Sequence, residues 1–333
     1  MNEFPTITAG FMGRAPQAPL PAAGPDPMDP DQWIRGKFTH RGRTLAYWLC
    51  LPPRAEGAPP CPMVVMLHGC TQDAGDFAAG TQMHVHARDA GAAVLYPEQA
   101  QWDNAHRCWN WFKPQHQRRD GGEPAVLAAL ALSIAQEHRV DRSRVFVAGL
   151  SAGGAMADIL ACSYPDIFAA VGVHSGLRAG AANDAMSALS VMRSGSPAPG
   201  GCAGRTRAVP TIVFHGDGDT TVHPGNAGAV IDAAVKAHES ETLQATISRT
   251  TAGASVGGRR FTRTVYEDGT GRCGAELWEL HGTGHAWSGG DGQGTFTDVD
   301  GVDASAEMLR FFLAHRCGPW PDGGAQAAVS TPA

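Results

Sequence analysis

From residue 63 to residue 316, short apolar runs alternate with stretches of helical periodicity. This alternation limits the fold more than any other feature of the chain. MVVMLHG (63–69), GAAVLYP (91–97), RVFVAGL (144–150), FAAVGVHSGL (168–177) and PTIVFHGDGD (210–219) read as strands, the last running into a loop. Helical stretches follow them: one ending near Ala90, then 123–140, 152–164, 224–238 and 303–316. AELWELHGTGHAW (275–287) reads as a last strand and loop. Apolar runs of this length suit strands buried on both faces by crossover helices. The expected class is α/β, a mostly parallel sheet covered by helices on both faces. Such sheets bind ligands beyond the carboxyl ends of their strands. Four loops therefore carry the interest, those after residues 69, 150, 216 and 282.

FTHRGRTLAYWLCLPP (38–53) reads as an opening hairpin turning at Arg41-Gly42. Pro224 sits at the first turn of its helix, and Asp303 is the expected N-cap of the closing one. Residues 1–34 are Pro, Ala and Gly rich and read as a flexible arm; 318–333 read as a flexible tail. One domain is expected over 35–317, with 178–209 interrupting the alternation as a lid or rim over the site. A formal charge of −6 without a dense basic stretch disfavours nucleic-acid and anionic-membrane partners. No apolar run is long enough to span a membrane. The opening MNEFPTITAG has neither a basic n-region nor an apolar h-region, the look of a chain without a secretory leader. The eight cysteines pull the other way, since an even number is compatible with disulfides in an oxidising compartment.

GLSAG (149–153) matches the nucleophile-elbow pattern G-x-S-x-G, between an apolar strand and a helix. Ser151 would sit on a tight turn that only small neighbours permit. The alternative is a small residue in a Gly-rich turn. A serine nucleophile needs a base, and this architecture supplies its partners in the order Ser, acid, His. HGDGDTTVHP (215–224) offers Asp217 and Asp219; HGTGHAWSGG (281–290) offers His281 and His285. Asp219 is preferred because it lies further into its loop. His285 is preferred because it sits in the Gly-rich segment, whereas His281 ends the strand. Two backbone donors are needed for an oxyanion: the N–H of Ala152 after the serine, and that of Cys70 in LHGCTQ.

LHGCTQ, CWNWF, GLSAGGAM, FHGDGDTTVHPGN, GTGHAWSGG and DASAEMLRFF, in this order over 35–317, resemble the esterase family of polyhydroxybutyrate depolymerases. These α/β-hydrolases also include feruloyl and acetylxylan esterases. The resemblance implies Ser151 as nucleophile, Asp219 as acid and His285 as base, and ester hydrolysis through an acyl-serine without a cofactor. It also implies Trp109 and Trp111 as walls of the substrate cleft, with Trp287 near it; the alternative for these tryptophans is the core. Cys70 and Cys108 both fall in motifs near the site and are expected to pair, clamping the oxyanion loop to the Trp segment; Cys202 and Cys273 are a second candidate pair. Members of this family are commonly extracellular. Secreted depolymerases carry a linker and a polymer-binding domain, and this sequence reads as one without either, so the expected substrate is a soluble polyester oligomer or small ester. A feruloyl or acetylxylan esterase is the nearest alternative, and a non-catalytic binding module on the same fold is the alternative of a different class.

His84 and His86 stand two apart and do not share a helix face, which argues against a metal pair. GDGD lacks the spacing and closing Glu of a calcium loop, and GLSAGG lacks the spacing of a dinucleotide fingerprint. The Arg259-Arg260 segment reads as a solvated turn. No metal or cofactor is expected.

Overall fold

A computed structural model describes residues 33–196 and 207–318. The arm up to residue 32, the tail from 319 and the 197–206 part of the expected lid lie outside the described residues. Strands β1 (Trp33–His40) and β2 (Arg43–Cys50) form the opening hairpin. Its turn residues Arg41 and Gly42 both have positive φ, 49° and 75°, as the two-residue turn that matches strand twist requires. Trp33 and Ile34, expected in the flexible arm, belong to β1, where Trp33 packs against Trp48 and Tyr96.

The remaining strands of the main sheet are β3 (Cys61–Leu67), β4 (Ala93–Glu98), β5 (Val140–Leu150), β6 (Val171–His174), β7 (Thr211–Gly216), β8 (Ile247–Ala254), β9 (Arg260–Glu267) and β10 (Cys273–Leu280); Trp287–Ser288 and Thr297–Asp298 pair separately. The main sheet has the order β1-β2-β4-β3-β5-β6-β7-β10-β9-β8. The run from β4 to β10 is parallel, and both flanks are antiparallel. Helices α1 (Ala74–Thr81), α2 (Met83–Asp89) and α7 (Ala304–Leu313) cover one face. Helices α3 (Gly122–Glu137), α4 (Ala152–Ser163), α5 (Ala185–Ser194) and α6 (Gly225–Thr242) cover the other.

The strand pattern explains the layers. In β3, Met63, Val65 and Leu67 join the core under α3 and α4, while Val64 and Met66 join the core under α7. β5 repeats this with Val145 and Val147 against Phe146, Ala148 and Leu150. Successive side chains point to opposite faces, so a strand covered on both sides must be apolar at every position.

The β8–β9 hairpin is absent from the expectation above. β8 reads ISRTTAGA and is exposed almost throughout, so it shows neither an apolar run nor a clean alternation. It is held by its ladder with β9 at the sheet edge, where an arginine-bearing strand resists further pairing. Arg259 stands at its turn, as expected, and Arg260 already begins β9. α7 begins where predicted, with the Asp303 carboxylate accepting the Ala306 N–H at 2.9 Å.

Candidate active site

The central strands end at one edge, and the loops carrying the predicted residues leave from there. Ser151 follows β5 directly and opens α4 at φ 58°, ψ −118°. A non-glycine residue held there stores backbone strain of order 1–3 kcal/mol. Two glycines make the turn geometrically feasible. A Cβ on Gly153 would lie 2.0 Å from the Leu67 carbonyl oxygen, and one on Gly149 would lie 2.4 Å from the Gly153 backbone. The elbow thus closes against the end of β3 with no room for a side chain at either flank.

Asp219 is buried in the loop after β7. Its Oδ1 accepts the N–H groups of Thr221 and Val222, both at 2.9 Å. Its Oδ2 lies 2.7 Å from His285 Nδ1 and 3.4 Å from His215 Nε2. Burial opposes the charge, but the hydrogen bonds from His215, His285 and Val222 outweigh it and hold the carboxyl well below the usual carboxylate range. A carboxylate at Nδ1 leaves Nε2 of His285 as the nitrogen that can take up a proton. The rival residues pair with each other: His281 Nδ1 lies 2.9 Å from Asp217 Oδ2, and its Nε2 lies 2.8 Å from the Thr262 hydroxyl. The spacing alone left these two Asp–His pairings open.

His174, at the end of β6, ties the serine and histidine loops together, and no motif pointed to it. Its carbonyl accepts the Ser151 N–H at 2.9 Å, and its Nε2 accepts the Ser288 N–H at 3.0 Å. The ring stacks on Trp287 with centroids 5.0 Å apart. Burial, followed by the nearby His215 and His285, pushes its pKa well below the ordinary histidine value, so it stays neutral and keeps Nε2 free to accept.

Ala152 opens α4, where first-turn N–H groups lack intrahelical acceptors. Cys70 lies in the loop after β3. The Gly69 N–H donates to Gln72 Oε1 at 2.9 Å, and the Thr71 N–H to the His106 carbonyl at 2.7 Å. Cys70 is disulfide-bonded to Cys108, with Cα atoms 4.2 Å apart. Cys273 is a free thiol; its candidate partner Cys202 lies outside the described residues. Beneath this clamp lies a buried carboxylate that the sequence did not signal. Glu123 accepts from the Asn110 N–H at 2.8 Å, the Asn110 side chain at 2.6 Å and Gln99 Nε2 at 2.7 Å.

A sequence model of the family described as Esterase PHB depolymerase matches residues 45–259. The chain belongs to the esterase PHB depolymerase family. Among curated relatives it is 32% identical over 234 residues to a poly(3-hydroxyalkanoate) depolymerase C of Paucimonas lemoignei, covering 67% of this chain and 54% of that protein. It is 30% identical over 250 residues to a feruloyl esterase B of Thermothelomyces thermophilus, covering 70% of this chain and 82% of that protein. An acetyl xylan esterase from Aspergillus awamori superposes with a TM-score of 0.58 at 21% identity, over 72% of this chain and 89% of that one. That likeness, together with the mostly parallel sheet, shows the α/β-hydrolase fold.

One expectation about this family member needs correction. Trp109 is 0% exposed and Trp287 1%, so neither presents an open face to a cleft; Trp111 keeps only 5%. The Trp109 indole N–H donates to the His68 carbonyl at 3.1 Å, and that of Trp287 to the Ser305 hydroxyl at 3.1 Å. They brace the loops from behind, because large rings with an internal acceptor gain more from burial than from exposure. The two histidines weighed as a metal pair have structural surroundings: His84 packs on Trp33 at 4.9 Å, and His86 pairs with Asp303 at 3.1 Å.

Two predictions arise from these supports. His68 is fully buried; its Nδ1 lies 2.7 Å from the Gly69 carbonyl and its Nε2 accepts the Gln99 N–H at 3.0 Å. Burial lowers its pKa to about 4. In the unfolded chain it protonates near 6.5, so below that pH the unfolded state binds the extra proton. The stability it contributes is full above pH ~6.5 and is lost as pH falls toward ~4; Asp219 adds a further loss below ~4. Denaturant midpoints measured from pH 7.5 to 4 should fall steadily, and a flat profile contradicts this reading. Separately, Cys108→Ser should cost about 3–4 kcal/mol in the chain-entropy picture of a closed loop. Urea unfolding of the variant, compared with the oxidised wild type, measures it.

Proposed function

We propose that this chain is a serine carboxylic-ester hydrolase working through an acyl-serine intermediate. The observation that carries the reading is the buried Asp219–His285 hydrogen bond of 2.7 Å, in the same loop cluster as a serine on a left-handed elbow. Ser151 Oγ attacks the ester carbonyl carbon while His285 Nε2 takes the hydroxyl proton. Asp219 holds the imidazole and stabilises its charged form. The N–H groups of Ala152 and Cys70 receive the oxyanion, which the disulfide loop keeps in place. Collapse expels the alcohol, protonated by His285. Water, deprotonated by the same nitrogen, then releases the acid.

The substrate class we assign is short hydroxyalkanoate oligomers or related polyester and phenolic esters. The depolymerase and feruloyl esterase names of the relatives support this. Side-by-side turnover of hydroxybutyrate oligomers, feruloyl esters and acetylxylan tests it, with p-nitrophenyl butyrate as reporter. Hydroxybutyrate oligomers should be cleaved with the highest kcat/KM. Preference for the feruloyl ester would move the assignment to that class. No acyl adduct on Ser151 and no turnover of any ester would leave a binding module instead.

A further inference from the structure

On the edge opposite the catalytic loops, where β7 and β10 begin, lies a polar cleft of about 490 Å³. Its walls carry Arg263, Arg272, Arg310 and Arg316 together with Glu267, Glu276 and His315. Four guanidiniums face two carboxylates in a chain whose overall charge is −6. The cation excess is therefore local and runs against the composition.

The arginines are not equally committed. Glu276 is buried at the cleft and binds Arg263 at 2.9 Å, Arg310 at 2.6 Å and the Trp278 indole N–H at 2.7 Å. One carboxylate thus orders two guanidiniums. Arg310 also reaches Glu307 at 2.6 Å, and Arg316 reaches Asp141 at 3.2 Å. Glu267 is turned toward Arg249, 3.5 Å away. Among the described residues the Arg272 guanidinium makes no ion pair. His315 is 8% exposed and packs against Phe311, with ring centroids 4.6 Å apart. Burial, then Arg272, lowers its pKa to about 4, so it enters the cleft as a neutral imidazole able to donate one N–H.

We propose that this cleft is a second ligand site, for a small organic dianion with phosphate or dicarboxylate groups. The guanidinium fork suits planar or tetrahedral oxyanions, and such charge-assisted hydrogen bonds are the strong ones. The volume falls within the usual range for small-molecule sites. Arg272 and Arg316 would close on the ligand over the platform that Glu276 builds from Arg263 and Arg310.

Isothermal titration and thermal unfolding of the full chain test this, with inorganic phosphate and succinate as probes and sodium chloride at matched ionic strength as reference. A ligand that binds only the folded state raises Tm as its concentration passes Kd. At least one probe should raise Tm above the chloride reference, and the R272Q/R316Q variant should weaken that binding by about tenfold or more. The two arms tell which oxyanion class the cleft prefers. The variant should keep the wild-type Tm in chloride and the wild-type turnover of p-nitrophenyl butyrate, which separates lost binding from lost folding. Neither probe exceeding chloride, or the variant binding as tightly as wild type, overturns the proposal. Neither result depends on the esterase reading of the other edge.

Discussion

Replacement of Ser151 by alanine is expected to lower kcat for p-nitrophenyl butyrate by roughly 10³-fold or more, with KM little changed. In the proposed mechanism the hydroxyl oxygen bonds to the acyl carbon, so its loss would remove the covalent route and leave only what binding and the oxyanion donors can do. A factor of 10³ corresponds to about 4 kcal/mol of transition-state stabilisation. The elbow itself should survive, because alanine occupies the same left-handed backbone with a smaller side chain and Gly149 and Gly153 still let the turn close. Stopped-flow release of p-nitrophenol should show a burst in the wild type and none in the variant. An unchanged steady-state rate would remove Ser151 from the reaction.

The second large effect separates the two Asp–His pairs. His285→Ala should lower kcat on the order of 10³-fold or more, since no other group would take the serine proton. His281→Ala should cost less than about tenfold. The geometry sets the asymmetry. Asp219 is 5% exposed and its carboxylate is satisfied from four directions, so the imidazole it holds is fixed in tautomer and orientation. Asp217 is half exposed at 51%, and His281 already has Thr262 at Nε2, the nitrogen a base would use. Surface pairs of that kind are screened and contribute little. Parallel measurement of the two variants decides the matter, and the reverse order of losses would make His281 the base.

Much of the candidate site was legible because its pattern is local. The elbow needs small residues at fixed offsets from Ser151, and the proposed acid and base each follow an apolar strand, so pattern and position together marked them as candidates. The Cys70–Cys108 pairing rested on family resemblance, and the folded chain forms it. The tryptophans show where a one-dimensional reading stops. Trp109 and Trp111 stand in a loop beside the site, and a loop position suggests exposure. Whether a ring faces the cleft or the core depends on which acceptor waits behind it. For Trp109 that acceptor is the carbonyl of His68, 41 residues away in sequence.

The same reason explains the residues that no motif announced. Glu123 sits at the start of a helix whose apolar face hides one carboxylate, and its partners Gln99 and Asn110 come from another loop. His174 looks like the end of one more strand, yet it supplies an acceptor to two loops at once. The exposed strand β8 carries almost no periodic signal, because its stability comes from pairing with β9.

What the sequence determined by itself was the alternation of parallel strands with crossover helices, the elbow pattern, the Asp303 cap of α7 and the candidate acids and bases at one edge of the sheet. Each follows from side-chain period, backbone freedom or chain order, properties that short windows contain. Only the tertiary structure decided which carboxylate meets which imidazole, that the tryptophans turn inward, and that Arg263 of β9, Arg310 of α7, Arg272 before β10 and Arg316 after α7 gather on the far edge. Those outcomes depend on contacts between segments far apart in the chain, where packing and the satisfaction of buried polar groups choose among arrangements that local pattern leaves equal.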